Sequence, residues 1–391
     1  MNSGRKLCRR AVAMMLLAGG WLGAHAQKLM NDTNLYPVYQ ALDTSTNAIS
    51  MLHLGDSHVQ AGTYPDAVRK VLQDQFGYAG RGFVFPYNLA GTNGPDGYKW
   101  SSNVRWNGER MVDRNQAEWP GPGGIMLSRE LAPATVQFTS DSAIDWLRVW
   151  YKGNDVPEVA GGSVFEGSKD APEREVRIKA DSGMTAMAIR FPGISRFYGA
   201  VDERNAKGIT YSAIGINGAQ FQQYNLFDGG VAGAAGMLTK PLLVIFSLGT
   251  NEAFGAITAV QLKTEMEKTV TAVREYAPDA KFLFTTPPSG MMKKRSVPYR
   301  PKGSKRTKYR TKFIAVPQAA TVRQAIIEFC REEGHAYWDL FGEMRADSRY
   351  TRAWSHDHVH FNAYGYRLQG EQLGKAILQG YRNWQQTIRK N

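Results

Sequence analysis

The sequence predicts an α/β fold, a five-stranded parallel sheet covered by helices on both faces and interrupted by an all-β insertion. Three observations carry this. Five runs are almost continuously apolar, as strands buried on both faces must be. Helical patterns alternate with them, the order that produces a parallel sheet in a three-layer sandwich. From about Gly91 to Glu203 that alternation stops, and short strand-like runs divided by Gly, Pro and other turn residues take its place.

The five runs are Ile49 to Leu54, Ile209 to Ile216, Leu242 to Leu248, Phe282 to Thr286 and Ala336 to Leu340. Pro65 to Phe76 places Val68, Val71, Leu72 and Phe76 on one helical face, with Thr63 as the expected cap and Gly77 as the stop. Val260 to Tyr276 begins with Thr258 and Gln261 at capping-box spacing and carries Leu262, Met266, Val270 and Val273 on one stripe. Pro317 to Glu333 and Ala363 to Trp384 complete the helices. In the insertion the strand-like runs are Thr135 to Phe138, Ile144 to Tyr151, Glu175 to Ile178 and Met187 to Phe191. The expected organisation is a discontinuous α/β domain, 27–90 and 206–391, closing around a β-rich domain, 91–205.

The first 26 residues read as a secretory signal peptide. Arg5, Lys6, Arg9 and Arg10 precede a short apolar core, and Ala24-His25-Ala26 is a small-residue cleavage site. The core is shorter than the roughly 20 residues of a membrane span, so export, most simply to a periplasm, is expected. Past that segment Cys330 is the only cysteine, which excludes an intramolecular disulfide, and its helical pattern makes it a buried small hydrophobe. The formal charge of +13, less four basic signal residues, leaves about +9 and favours anionic surroundings. Half of the twenty residues from Lys293 to Lys312 are basic, which reads either as a solvated loop or as a contact for an anionic polymer. Lys302, Lys305, Arg306 and Lys308 are the candidate substrate contacts there. No nucleic-acid-binding module appears, so nucleic acid is not an expected partner.

Loops leaving the carboxyl ends of parallel strands converge on the ligand crevice, and four of them carry useful chemistry. The first strand runs into Gly55-Asp56-Ser57, just ahead of a helix whose N–H groups can stabilise negative charge. The second runs into Gly215-Ile216-Asn217-Gly218, the third into Gly249-Thr250-Asn251-Glu252, and Asp357-His358-Val359-His360 precedes the last helix. Together these suit a serine hydrolase: Ser57 as nucleophile, His360 as general base and acid, and Asp357 orienting the imidazole. The N–H groups of Ser57 and Gly218 and the Asn251 amide would form the oxyanion hole, with Gly215 as the alternative to Gly218.

Taken in order, these four blocks resemble the SGNH (GDSL-type) hydrolase superfamily. Gly-Asp-Ser-His, the stretch from Arg69 to Pro86, the block Ser247-Leu248-Gly249-Thr250-Asn251-Glu252-Ala253-Phe254 and the β insertion are similar to bacterial peptidoglycan O-acetylesterases. The resemblance implies a flavodoxin-like α/β/α sandwich, a jelly-roll, carbohydrate-binding-module-like insertion, and removal of acetyl from muramic acid O6 without metal or cofactor. His58 replaces the leucine of the GDSL name, and Glu252 stands where many relatives have Asp. Ala213 takes the place of a common second-block asparagine, leaving the support of Gly218 open.

Simpler readings compete at several positions. Serine is a favoured helix cap, so Ser57 alone would read as one. Asn251 could tie its own loop together. His356, His358 and His360 alternate and, with His58 and Asp357, suggest a metal site only if their segment is extended. Trp100, Trp106, Trp119, Trp146 and Trp150 are expected in the core of the insertion rather than stacked on sugars. The expected function is an exported O-acetylesterase of a cell-wall glycan. The alternatives are an acetylesterase of plant or host polysaccharide or sialic acid, a non-catalytic glycan-binding protein, and an acyltransferase.

Overall fold

Along the described chain, a computed structural model covering residues 28–167 and 173–390, the expected alternation forms with additions. The signal segment lies outside the described residues. First come α1 (Tyr36–Thr44), β1 (Ala48–Gly55), the single turn α2 (Ser57–Gln60) and α3 (Thr63–Phe76). Nine antiparallel strands follow: β2 (Gly82–Val84), β3 (Tyr98–Ser102), β4 (Asn107–Arg110), β5 (Ile125–Ser140), β6 (Trp146–Gly153), β7 (Glu158–Ala160), β8 (Gly162–Gly167), β9 (Glu173–Ala180) and β10 (Ala186–Glu203). The α/β part resumes with β11 (Gly208–Gly215), α4 (Phe221–Tyr224), α5 (Gly230–Thr239), β12 (Leu243–Ser247), α6 (Thr250–Phe254), α7 (Ala259–Tyr276) and β13 (Lys281–Thr285). It closes with a hairpin of β14 (Met291–Tyr299) and β15 (Lys308–Ala315), then α8 (Ala319–Glu332), β16 (Ala336–Trp338), α9 (Leu340–Ala346) and α10 (Ala363–Ile388).

The parallel sheet has five strands in the order β11-β1-β12-β13-β16. The strand order reverses beside β1, so the crevice of this open sheet lies at the carboxyl ends of β1, β11 and β12. Alternate residues face opposite layers. Met51, Leu243, Ile245 and Leu283 pack with Val68, Leu72, Leu373 and Ile377 under α3 and α10, while Leu54, Val244, Phe246 and Phe284 pack with Met266, Val270 and Ile326 under α7 and α8. The second layer is continuous with the core of the antiparallel strands through Phe83, Val84, Phe85, Trp100 and Phe138. The insertion is thus seated on the α/β part through shared apolar burial, the dominant favourable term in folding. Its nine strands bond as one network, with β5 and β10, 16 and 18 residues long, bent where their register shifts between Phe191 and Arg196.

Several expectations need correcting. Thr63 is not a cap: Gly62, at φ 83°, takes that place, and Thr63 is the first helical residue. The chain turns straight from α2 into α3, and a Cβ at Gly62 would lie 2.6 Å from the Pro95 backbone. The last strand stops at Trp338 instead of Leu340, because Asp339 caps α9 by accepting from the Gly342 N–H at 3.2 Å. The basic run is a two-stranded hairpin, not a loop. Of the five tryptophans Trp100 is buried in the core and Trp106 and Trp150 are partly buried against it, whereas Trp119 and Trp146 lie outside it, partly exposed, with Trp146 under the Arg177 guanidinium at 4.2 Å. Thr258 and Gln261 do form the capping box, Gly77 ends α3, and Cys330 is fully buried.

Gly55 and Gly215 face each other across β1 and β11, and α2 lies directly over them. A Cβ on Gly55 would be driven into Val59 and to 2.9 Å from the Ser247 carbonyl oxygen. One on Gly215 would meet the Gln60 N–H and the Asp56 carbonyl. Gly55→Ala is therefore expected to cost about 1–3 kcal/mol through overpacking, measured as a lower urea midpoint at unchanged slope.

Candidate active site

Ser57 leaves the end of β1 as the first residue of α2. The cap of that turn is Asp56, whose Oδ1 accepts from the His58 N–H at 2.9 Å. Ser57 is thereby left free of capping, and its Oγ lies 2.9 Å from His360 Nε2. His360 Nδ1 lies 2.7 Å from Asp357 Oδ2. The other Asp357 oxygen accepts from Ser355 Oγ at 2.6 Å and from the Val359 and His360 N–H groups, both at 2.9 Å. Partial burial works to raise the Asp357 carboxyl, but the Ser355, His360 and Val359 donors outweigh it and hold it well below the usual carboxylate range. An ionised Asp357 accepts the Nδ1 proton, which leaves Nε2 as the acceptor and makes the Ser57 hydroxyl the donor. The structure therefore brings Ser57, His360 and Asp357 into one hydrogen-bonded line.

The loop holding that line is a tight turn. Ser355 N–H donates to the His360 carbonyl at 2.9 Å, and His358 has a left-handed φ of 59°. Its three histidines therefore do not share a face. His356 is exposed, the His358 ring rests on Phe313 with centroids 4.2 Å apart, and only His360 reaches Ser57. No group of three or more candidate metal ligands occurs among the described residues.

Gly218 is exposed on its turn at φ 87° with open space around it, whereas Gly215 is buried beneath α2. This favours Gly218 over Gly215 as the glycine facing a ligand. The N–H groups of Ser57 and Gly218 have no acceptor among the described residues. The Asn251 amide is already engaged, donating to the Ala219 carbonyl at 2.9 Å, with Asp56 Oδ2 at a long 3.4 Å. It therefore ties its loop to the Gly218 turn, and its second N–H is the weakly held one. Lys302, Lys305, Arg306 and Lys308 are far from this centre in the chain, exposed around the tip of the hairpin.

Sequence reasoning missed the groups that fix the second-block turn. Gln60 Oε1 accepts from the Asn217 N–H at 2.6 Å, while its Nε2 donates to Thr92 Oγ1 at 3.0 Å and the Asn93 carbonyl at 2.7 Å. This supplies the support that Ala213 cannot. The signal was a polar residue one turn after Ser57, but its partners lie in distant segments. Tyr224 Oη donates to the Gly55 and Ile214 carbonyls at 2.7 and 3.1 Å, pinning both strand ends. Buried His58 lies 3.1 Å from Tyr366 Oη through Nδ1, with its ring centroid 5.2 Å from that of His360. Burial pushes the His58 imidazole down to about 3, keeping it neutral.

Two buried carboxyls frame the crevice. Burial pushes Asp56 up to about 7 against the opposing His58 N–H and His360 charge. Burial likewise pushes Glu252 up to about 7 against the Phe221 N–H that donates to its Oε1 at 2.9 Å, and its Oε2 has no partner among the described residues.

Comparison with known proteins follows the same outline. Residues 183–368 match the GDSL-like lipase/acylhydrolase family, a span that begins in the turn just ahead of β10 and leaves out the Ser57 block. A peptidoglycan O-acetylesterase structure superposes with a TM-score of 0.72 at 23% identity, over 90% of this chain and 96% of that one. A lipase/acylhydrolase from Enterococcus faecalis matches with a TM-score of 0.31 at 16% identity, over 44% of this chain and 76% of that one. A salicylyl-acyltransferase from a tetracycline biosynthetic pathway matches with a TM-score of 0.32 at 13% identity, over 73% and 95%. No curated protein matches in sequence.

Two outcomes follow from this geometry. Asp357→Asn, which removes the charge that fixes the tautomer, is expected to lower kcat on a soluble acetyl ester by about 10⁴-fold. The second concerns stability. A carboxyl raised in the folded state contributes stability that is full below its unfolded pKa and is lost as pH rises through the folded value. Glu252 therefore costs stability between pH 4.5 and about 7, up to about 3 kcal/mol. Urea unfolding of Glu252→Gln at several pH values should show that part of the decline removed.

Proposed function

We propose that this chain is an SGNH-type carboxylic ester hydrolase, as the match of residues 183–368 to the GDSL-like acylhydrolases supports, and that it is exported and removes O-acetyl groups from a bacterial cell-wall glycan. The observation that carries the reading is the Ser57–His360–Asp357 line at the switch point of the sheet. Support for the substrate class comes from the likeness to a peptidoglycan O-acetylesterase, which extends over the insertion as well as the α/β part. The basic signal-like start supports export, with a periplasm as the destination.

In the mechanism, Ser57 Oγ attacks the acetyl carbonyl carbon as His360 Nε2 takes its proton. The negative charge that develops on the carbonyl oxygen is met by the unengaged N–H groups of Ser57 and Gly218. Asn251 adds its weakly held N–H by yielding the long contact to Asp56. The tetrahedral intermediate collapses with cleavage of the bond to the sugar oxygen, which receives the proton from His360. Water then attacks the acetyl-serine with His360 again as base, releasing acetate and restoring the serine hydroxyl. Asp357 stays ionised throughout and stabilises the imidazolium at each step.

Acetate release from O-acetylated peptidoglycan, with chelator present, tests the proposal. The mature protein should release acetate, and Ser57→Ala should lose at least about 10⁴-fold. Release from acetylated xylan but not from peptidoglycan would move the enzyme to another glycan.

A further inference from the structure

The hairpin of β14 and β15 is the feature the esterase chemistry does not use. From Met291 to Ala315 it contains ten basic residues and no acidic one. The described basic side chains from Lys293 to Lys312 are all exposed, and none enters an ion pair among the described residues. Lys294 pairs directly opposite Lys312 across the ladder, a like-charge arrangement that destabilises a sheet. Positive charge is thus concentrated on a two-stranded element, and no carboxylate among the described residues pairs with its described cations.

The hairpin is also fixed to the catalytic loop. Met291 N–H donates to the His358 carbonyl at 2.8 Å, Val316 N–H donates to the Gly290 carbonyl at 3.2 Å, and Phe313 carries the His358 ring. Its root therefore sits beside Asp357 and His360, and its charged tip extends away from that point. Cations occur at successive positions, Lys293 and Lys294 on β14, so both faces of the ribbon are basic. A membrane-surface element would instead gather its cations on one face and apolar residues on the other.

We propose that this hairpin is a docking arm for the carboxylates of the glycan on which the enzyme acts, holding an anionic strand alongside the catalytic loop. The inference rests on the cell-wall reading above and names the charge on the substrate that the site would select. Many weak, screened contacts along a polymer would add affinity without entering the chemistry, so the arm lowers KM on polymer and leaves kcat on a small neutral ester unaltered.

The test uses the mature protein carrying Ser57→Ala, so that binding is read without turnover. It is compared with the same protein in which Lys302, Lys305, Arg306 and Lys308 are replaced by Gln. Co-sedimentation with insoluble peptidoglycan, native or with its carboxyls amidated, is measured from low to high salt. The expected result is binding to native wall that falls about tenfold or more on neutralisation, a similar fall on amidation, and a shallower salt dependence in the variant. Equal binding by both proteins, or binding indifferent to amidation, would overturn the arm, as would transfer of binding to anionic phospholipid vesicles. Turnover of a small acetyl ester by both proteins with Ser57 intact separates the two readings. Acetate release from peptidoglycan that does not respond to neutralisation sinks the arm alone, while absence of that release sinks the cell-wall reading.

Discussion

The close seat of α2 on the ends of β1 and β11 is the constraint on which the site depends. It exists because Gly55 and Gly215 carry no side chains where Val59, Gln60 and Asp56 press down. The seat sets the height of Ser57 above the sheet and lets Asp56 take over the capping that a serine would otherwise perform. It also brings Gln60 to the 215–218 turn, so that one short helix positions both Ser57 and the turn that carries Gly218. Tyr224 reinforces the arrangement from below by bonding the last carbonyls of both strands.

Around that seat the polar groups divide by the charge they can carry. Asp357, with three short donors on one oxygen, is held ionised and can stabilise an imidazolium. Asp56 and Glu252 lie deeper, and burial favours their neutral forms. His53, between Tyr211 and Ser247 at 2.8 Å each, and His58, against Tyr366, are likewise kept neutral by burial. His360 therefore faces Ser57 beside buried neighbours whose neutral forms burial favours. The deeper groups orient loops: Glu252 holds the start of α4 at Phe221, and Asp56 links α2 to Asn251.

Much of this was legible in the sequence because it is local. The parallel strands are unbroken apolar runs, and the Asp357-to-His360 spacing closes within one turn. What was not legible depends on distant segments. Gln60 shows its role only when residues 92–93 and 217 arrive beside it. α5, with the sequence Gly-Val-Ala-Gly-Ala-Ala-Gly, has the composition of a loop, yet its small residues permit close approach to Ala272 and Val273 of α7. The hairpin was hidden because charge obscured the alternation that marks strands, and Trp119 and Trp146 were misplaced because aromatic content alone does not say which side chains are buried.

The central claim is that Ser57 is acylated during turnover, and it can be read directly. The mature protein is mixed with a soluble acetyl ester, quenched in acid during turnover, digested and mass-mapped. The account predicts that the peptide containing Ser57 gains the mass of one acetyl group, and that this gain is absent in Ser57→Ala. Turnover with Ser57 unmodified and the label on another residue, or undiminished turnover by Ser57→Ala, would contradict it.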